Sequence, residues 1–73
     1  MKVYLETLEK VNKFVKAMIN CSQEAELVSG RYVVDAKSLM GIFSLDLSHP
    51  INLVFHGEIS DKDYDSIKEF IVE

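Results

Sequence analysis

The sequence has a single cysteine, Cys21, so no intrachain disulfide can form and no second thiolate is present for a metal cluster. One proline and three glycines are too few for a flexible linker, and no repeated or low-complexity segment is found. Gly41 has no glycine-rich companions, which excludes a phosphate-binding loop and leaves no cofactor motif. No apolar run approaches the roughly 18 residues of a membrane span. No signal-peptide pattern precedes the folded part. A soluble protein of a reducing, cytoplasmic compartment is the expectation. With 8 basic against 12 acidic residues the net charge is −4, and no basic block exists. Direct binding to nucleic acid or to a membrane surface is therefore not expected.

What is present is enough for one domain over residues 1–73, near the lower size limit for a core without staples. An apolar content of 48% argues against disorder. Lys2 to Leu5 reads as a short strand, with Val3 and Leu5 on one face. Thr7 suits an N-cap, and Glu6 and Glu9 suit the positive end of a helix dipole. Leu8, Val11, Phe14, Val15, Met18 and Ile19 then fall at helical spacing as far as about Asn20. Lys10, Lys13 and Lys16 follow the exposed side, either as a solvated face or as a stripe for an acidic partner.

Glu24–Val28 and Tyr32–Ala36 read as strands of a hairpin turned at Gly30. Pro50 cannot donate a ladder hydrogen bond and marks a strand entry. Ile51, Leu53 and Phe55 alternate with Asn52, Val54 and His56 as a half-buried strand. Ser60-Asp61-Lys62-Asp63 resembles a capping box, and Tyr64, Ile67, Phe70 and Ile71 give a last helix its stripe. The order β-α-β-β-α-β-α predicts a two-layer α+β domain with helices covering one sheet face. A ferredoxin-like split βαβ shares the first six of these elements, and element order does not choose between the two.

Ala36 to Leu47 is the most informative stretch. Ser38 stands where a helix N-cap would, ahead of Leu39, Met40, Ile42, Phe43 and Leu45. A short helix buries about a third of its circumference. The excess predicts that some of Leu39, Met40 and Phe43 face outward, and exposed apolar patches mark partner sites. A fully buried short helix is the alternative.

The run Val34-Asp35-Ala36-Lys37-Ser38-Leu39-Met40-Gly41-Ile42-Phe43-Ser44-Leu45 resembles the central segment of HPr. HPr is the histidine-containing phosphocarrier of the bacterial sugar phosphotransferase system. Members from low-GC Gram-positive bacteria carry a similar Lys-Ser-Ile-Met-Gly-Val-Met-Ser-Leu run. The likeness extends forward through Ile51 to Glu58 and back to Phe14-Val15-Lys16. It implies an open-faced sandwich: a four-stranded antiparallel sheet of order 1-4-2-3, covered on one face by three helices.

HPr carries His-Thr-Arg-Pro-Ala before its first helix, and that histidine accepts the phosphoryl group. Counting back from Phe14, the histidine position falls on Thr7, the arginine on Glu9 and the proline on Lys10. A neutral imidazole is nucleophilic near neutral pH, whereas the Thr7 hydroxyl needs an activating base. Glu6 and Glu9 would repel an incoming phosphoryl group. His49 and His56 lie far along the chain and do not replace the missing imidazole. The resemblance is therefore to an HPr variant without histidine phosphotransfer, similar in this to catabolite-repression HPr.

Ser38 matches the serine that HPr kinase phosphorylates in Gram-positive relatives. The resemblance implies regulation at Ser38 and a docking patch of Leu39, Met40 and Phe43, with Lys37 and Lys10 as charged neighbours. It implies protein partners: phosphotransferase components, HPr kinase or a LacI-type regulator. Ser38 as a plain cap, a ferredoxin-like small-molecule-binding domain and a passive oligomerisation module are the competing readings. A helix-end cysteine is usually a small apolar filler, which is the expectation for Cys21. His56 and Glu58 share a strand side, but two ligands without a third make a weak metal site.

Overall fold

The computed structural model describes residues 1–72 of the chain. Four strands and three α-helices follow one another as β1 (Lys2–Val3), α1 (Leu8–Ile19), β2 (Ala25–Ser29), β3 (Tyr32–Asp35), α2 (Leu39–Phe43), β4 (Ile51–Phe55) and α3 (Asp61–Ile67). A 3₁₀ turn, Lys68–Phe70, extends α3. The strands form one sheet of order β1-β4-β2-β3, antiparallel throughout. A split βαβ needs a parallel pair across its helical crossover. Since every pairing here is antiparallel, the ferredoxin-like arrangement is excluded.

Alternation assigns the two faces of the sheet. Ala25, Leu27, Ile51 and Leu53 are buried beneath the helices, while Val33, Asn52 and Val54 are exposed on the open face. From α1, Val11, Phe14, Val15 and Met18 enter the core, joined by Ile42 of α2 and Ile67 of α3. Phe14 meets Phe70 edge-to-face with ring centroids 5.4 Å apart. That aromatic geometry contributes about 0.5–1.5 kcal/mol beyond area burial.

Three local expectations change. β1 is shorter than Lys2–Leu5: its pairing with β4 ends at Val3 opposite Ile51, and Tyr4 turns its N–H away from β4 to the Phe70 carbonyl. Leu5 is buried nonetheless. Leu8 and Ile19 are exposed, since at 3.6 residues per turn they lie roughly 70–90° from the centre of the α1 stripe. The last helix stops at Ile67, and its predicted stripe breaks up. Tyr64 is exposed, Phe70 is buried from the 3₁₀ turn, and Ile71 is extended and bridges antiparallel to Val3.

The hairpin turns as its sequence requires. Gly30 has φ of 59° and, among the described residues, no non-glycine residue has positive φ, which defines a type II′ turn at Gly30-Arg31.

Candidate functional site

The α2 segment begins where β3 ends. Asp35 Oδ1 accepts from Lys37 N–H at 2.9 Å, and the Asp35 carbonyl accepts from Ser38 N–H at 3.0 Å. These bonds turn the chain sharply off the sheet and deliver Ser38 to the N-cap. Its backbone is extended, at φ −102° and ψ 109°, and its Oγ accepts from Gly41 N–H at 3.1 Å. One of the helix's otherwise unpaired donors is thus satisfied. A Cβ on Gly41 would stand 3.2 Å from both Ser38 Oγ and Val34 Cβ. The absence of a side chain there lets the first turn of α2 close against β3.

The apolar excess divides cleanly. Ile42 and Leu45 are buried, whereas Met40 is 85% exposed, Phe43 43% and Leu39 38%. Leu47 packs partly against the core. Leu39, Met40 and Phe43 form an exposed apolar crown beside Ser38, with no charged residue between Lys37 and Asp46 in the sequence.

Lys37 is brought to the same corner, but its charge is turned elsewhere. Its Nζ donates to the Cys21 carbonyl at 3.2 Å and lies 3.5 Å from Glu24 Oε2, and its side chain is 19% exposed. A cation beside the C-terminal end of α1 is favoured by the helix dipole. Sequence reasoning missed this engagement, and no local pattern around Lys37 signals it. Lys10 is similarly occupied: its Nζ pairs with Glu6 at 3.0 Å and sits 5.8 Å from the centre of the Tyr4 ring.

Thr7 caps α1, its Oγ1 accepting from Lys10 N–H at 3.1 Å. Glu6 is held below its ordinary carboxylate range by the hydrogen bond and charge of Lys10. The two imidazoles are elsewhere: His49 stands 3.5 Å from Asp46, and His56 3.5 Å from Glu26. Cys21 is buried, donates to the Ala17 carbonyl at 3.4 Å, and has its thiol pKa pushed up chiefly by desolvation. A buried, protonated thiol is a filler rather than a nucleophile. Among the described residues no group of three or more His, Cys, Asp or Glu could hold a metal ion. No helix among them is long and apolar enough to cross a membrane.

A cleft of about 510 Å³ opens between the β2–β3 turn and the segment after α2, bordered by Arg31, Tyr32, Ser44, Asp46 and His49. Its polar groups are largely spent locally. Ser44 Oγ donates to the Gly41 carbonyl at 2.6 Å, and Asp46 accepts from both the N–H and the hydroxyl of Ser48.

Sheet order β1-β4-β2-β3 under three helices is the HPr-like open-faced sandwich. Two solved structures share it over nearly the whole chain. HPr-C-His from Thermoanaerobacter tengcongensis matches with a TM-score of 0.77 at 20% identity, covering 94% of this chain and 85% of that one. Crh of Bacillus subtilis, a catabolite repression protein described as a domain-swapped dimer, matches with a TM-score of 0.69 at 23% identity. That match covers 100% of this chain and 90% of the other. Neither a family model nor a curated protein matches the sequence. The likeness is one of fold.

Proposed function

We propose that this chain is a non-catalytic HPr-type protein-interaction module of the phosphotransferase family, acting in the cytoplasm in carbon regulation. A single HPr-like domain spans residues 1–73 in this reading. It docks a protein partner through Leu39, Met40 and Phe43, and phosphorylation of Ser38 switches the docking. The carrying observation is the exposed, uncharged apolar crown immediately after the Ser38 cap. Thr7 replaces the phosphohistidine, and its hydroxyl is committed to capping α1.

The switch has a simple physical form. A phosphoserine adds about −1.5 to −2 charge and three acceptor oxygens. On Ser38 those oxygens would take over the Gly41 N–H that the hydroxyl now serves, beside the apolar crown. A partner that buries the crown is repelled by the unpaired charge, and a partner with a cation there is recruited. Candidate partners are phosphotransferase components, HPr kinase and a LacI-type regulator. Nucleic acid and membrane are not contacted directly.

Incubation with HPr kinase and ATP, followed by mass spectrometry, tests the switch: phosphate on Ser38 is expected, and none would remove it. Phosphoenolpyruvate with enzyme I should give no acid-labile phosphohistidine, and finding any would overturn the non-carrier reading.

A further inference from the structure

The two outer strands of the sheet are not equivalent. At β1, Tyr4 N–H donates to the Phe70 carbonyl at 2.9 Å and Val72 N–H to the Lys2 carbonyl at 3.0 Å. The segment following α3 therefore closes that edge. β3 lies at the opposite side, and nothing among the described residues covers it.

The ladder fixes which backbone groups of β3 are unpaired. Ala36 N–H donates inward to the Ala25 carbonyl at 3.0 Å. Alternate residues of an antiparallel strand bond to the same neighbour. Val34 and Tyr32 thus also face β2, while Val33 and Asp35 turn their peptide groups outward. The Asp35 carbonyl is taken by Ser38 N–H, which leaves Val33 N–H, Val33 C=O and Asp35 N–H facing water. Exposed edges are usually guarded by brevity, charged side chains, proline or a bulge. The four residues Tyr32-Val33-Val34-Asp35 hold no lysine, proline or bulge, their one charge is Asp35, and Val33 is 55% exposed.

We propose that this edge pairs antiparallel with the β3 edge of a second copy of the chain, about a two-fold axis at Val33. Charge selects the partner and the register. Among the described residues Arg31 is in no ion pair, and Asp35 has only the Lys37 N–H on its carboxylate. With Val33 opposite Val33, Arg31 of each copy stands opposite Asp35 of the other, twice by symmetry. Sliding one ladder step one way sets Arg31 against Lys37, a like pair. Sliding the other way leaves Arg31 against Val33. Opposite charges facing across strands stabilise and like charges destabilise, so only the Val33-centred register satisfies both copies.

The backbone agrees with this choice. The two Val33 residues exchange both of their free hydrogen bonds, and each Asp35 N–H reaches the other copy's Arg31 carbonyl. On the open face Val33 lies across from Val28 of β2, so the two Val28–Val33 pairs merge into one apolar stripe. The contact is small against the roughly 1,200 Å² of a stable interface. Association is accordingly weak and concentration-dependent. It uses a surface other than the α2 crown and is independent of the docking reading.

Sedimentation from micromolar to millimolar tests it on the wild type, Arg31→Glu, Asp35→Arg and the double variant. Each single reversal places like charges opposite at two positions and raises the dimer Kd by at least about tenfold. The double variant restores the wild-type value. Net charge cannot produce this pattern: from −4, Arg31→Glu gives −4 − 2 = −6 and Asp35→Arg gives −4 + 2 = −2, yet both weaken the dimer. Val33 amide exchange, read by NMR on the wild type, slows as concentration rises. A wild type that stays monomeric at millimolar concentration overturns the proposal. So does a dimer that survives Arg31→Glu but is lost in Leu39→Asp.

Discussion

Alanine at position 38 separates the capping role of Ser38 from any regulatory one. The hydroxyl oxygen accepts from Gly41 N–H at 3.1 Å, a donor that a five-residue helix cannot satisfy internally. Both residues are half-buried, so water replaces the lost acceptor only in part. The cost is about 1 kcal/mol, within the ~0.5–2 seen for lost caps. Glycine, which leaves the N–H groups more open to water, costs only a few tenths of a kcal/mol. Aspartate keeps an acceptor and adds a charge that the helix N-terminus favours, so it stays within about 0.5 kcal/mol of serine. The expected ranking is Asp close to Ser, then Gly, then Ala.

These differences are measurable in a chain this small. At about 0.05–0.15 kcal/mol per residue, 73 residues give a stability of roughly 4–11 kcal/mol. A loss of 1 kcal/mol lowers Tm by about 4–8 °C. Urea denaturation followed by far-UV circular dichroism, with equal m-values, gives the ranking directly. Alanine as stable as serine would refute the cap. Aspartate less stable than alanine would refute the dipole argument, and would disqualify Ser38→Asp as a mimic of the phosphorylated state.

Two neighbours on α2 should behave oppositely: Ile42→Ala costs about 2–5 kcal/mol, while Met40→Asp stays within about 0.5 and loses partner capture. Equal costs in the same denaturation assay would place both side chains in one buried cluster. At low pH, Glu6 and Asp46 contribute stability above their ordinary values of 4.5 and 3.8, and this is lost as pH falls through their lowered ones. Lys10→Met removes Glu6's leading cause, so an NMR titration should show the Glu6 pKa rising while Asp46, held chiefly by hydrogen bonds from Ser48, does not move; an unchanged Glu6 refutes the pairing.

Legibility followed the range of the interaction. Ser38, Thr7 and Ser60 each accept from the N–H three residues ahead, and a local pattern suffices to find them. β4 alternates in sequence as it does in burial, because one face meets helices and the other water. The division of α2 was legible in outline for the same reason: a five-residue helix cannot bury Leu39, Met40, Ile42 and Phe43 all along one stripe. The end of the chain was not legible. Tyr64, Ile67, Phe70 and Ile71 continue a helical period, but hydrogen bonds to Lys2 and Tyr4 at the far end of the sequence pull the segment after Phe70 into an extended path. Pairing across so large a separation overrides a local preference.

Lys37 was illegible for a related reason, and its placement changes what the α2 surface can do. The residue before Ser38 reads as a cation poised beside the apolar crown. Instead its ammonium is bonded to a backbone carbonyl sixteen positions away, where no side-chain pattern announces it. The crown consequently has no committed counter-charge of its own. A phosphoryl group on Ser38 would find the N–H groups of a short helix, while releasing Lys37 to meet it would strip the C-terminal end of α1 of its cation. Positive charge for a phosphorylated interface must therefore come from the partner. Binding of the phosphorylated form should weaken with added salt, whereas binding through Leu39, Met40 and Phe43 alone should change little, because screening acts on the charge pair and not on buried apolar area.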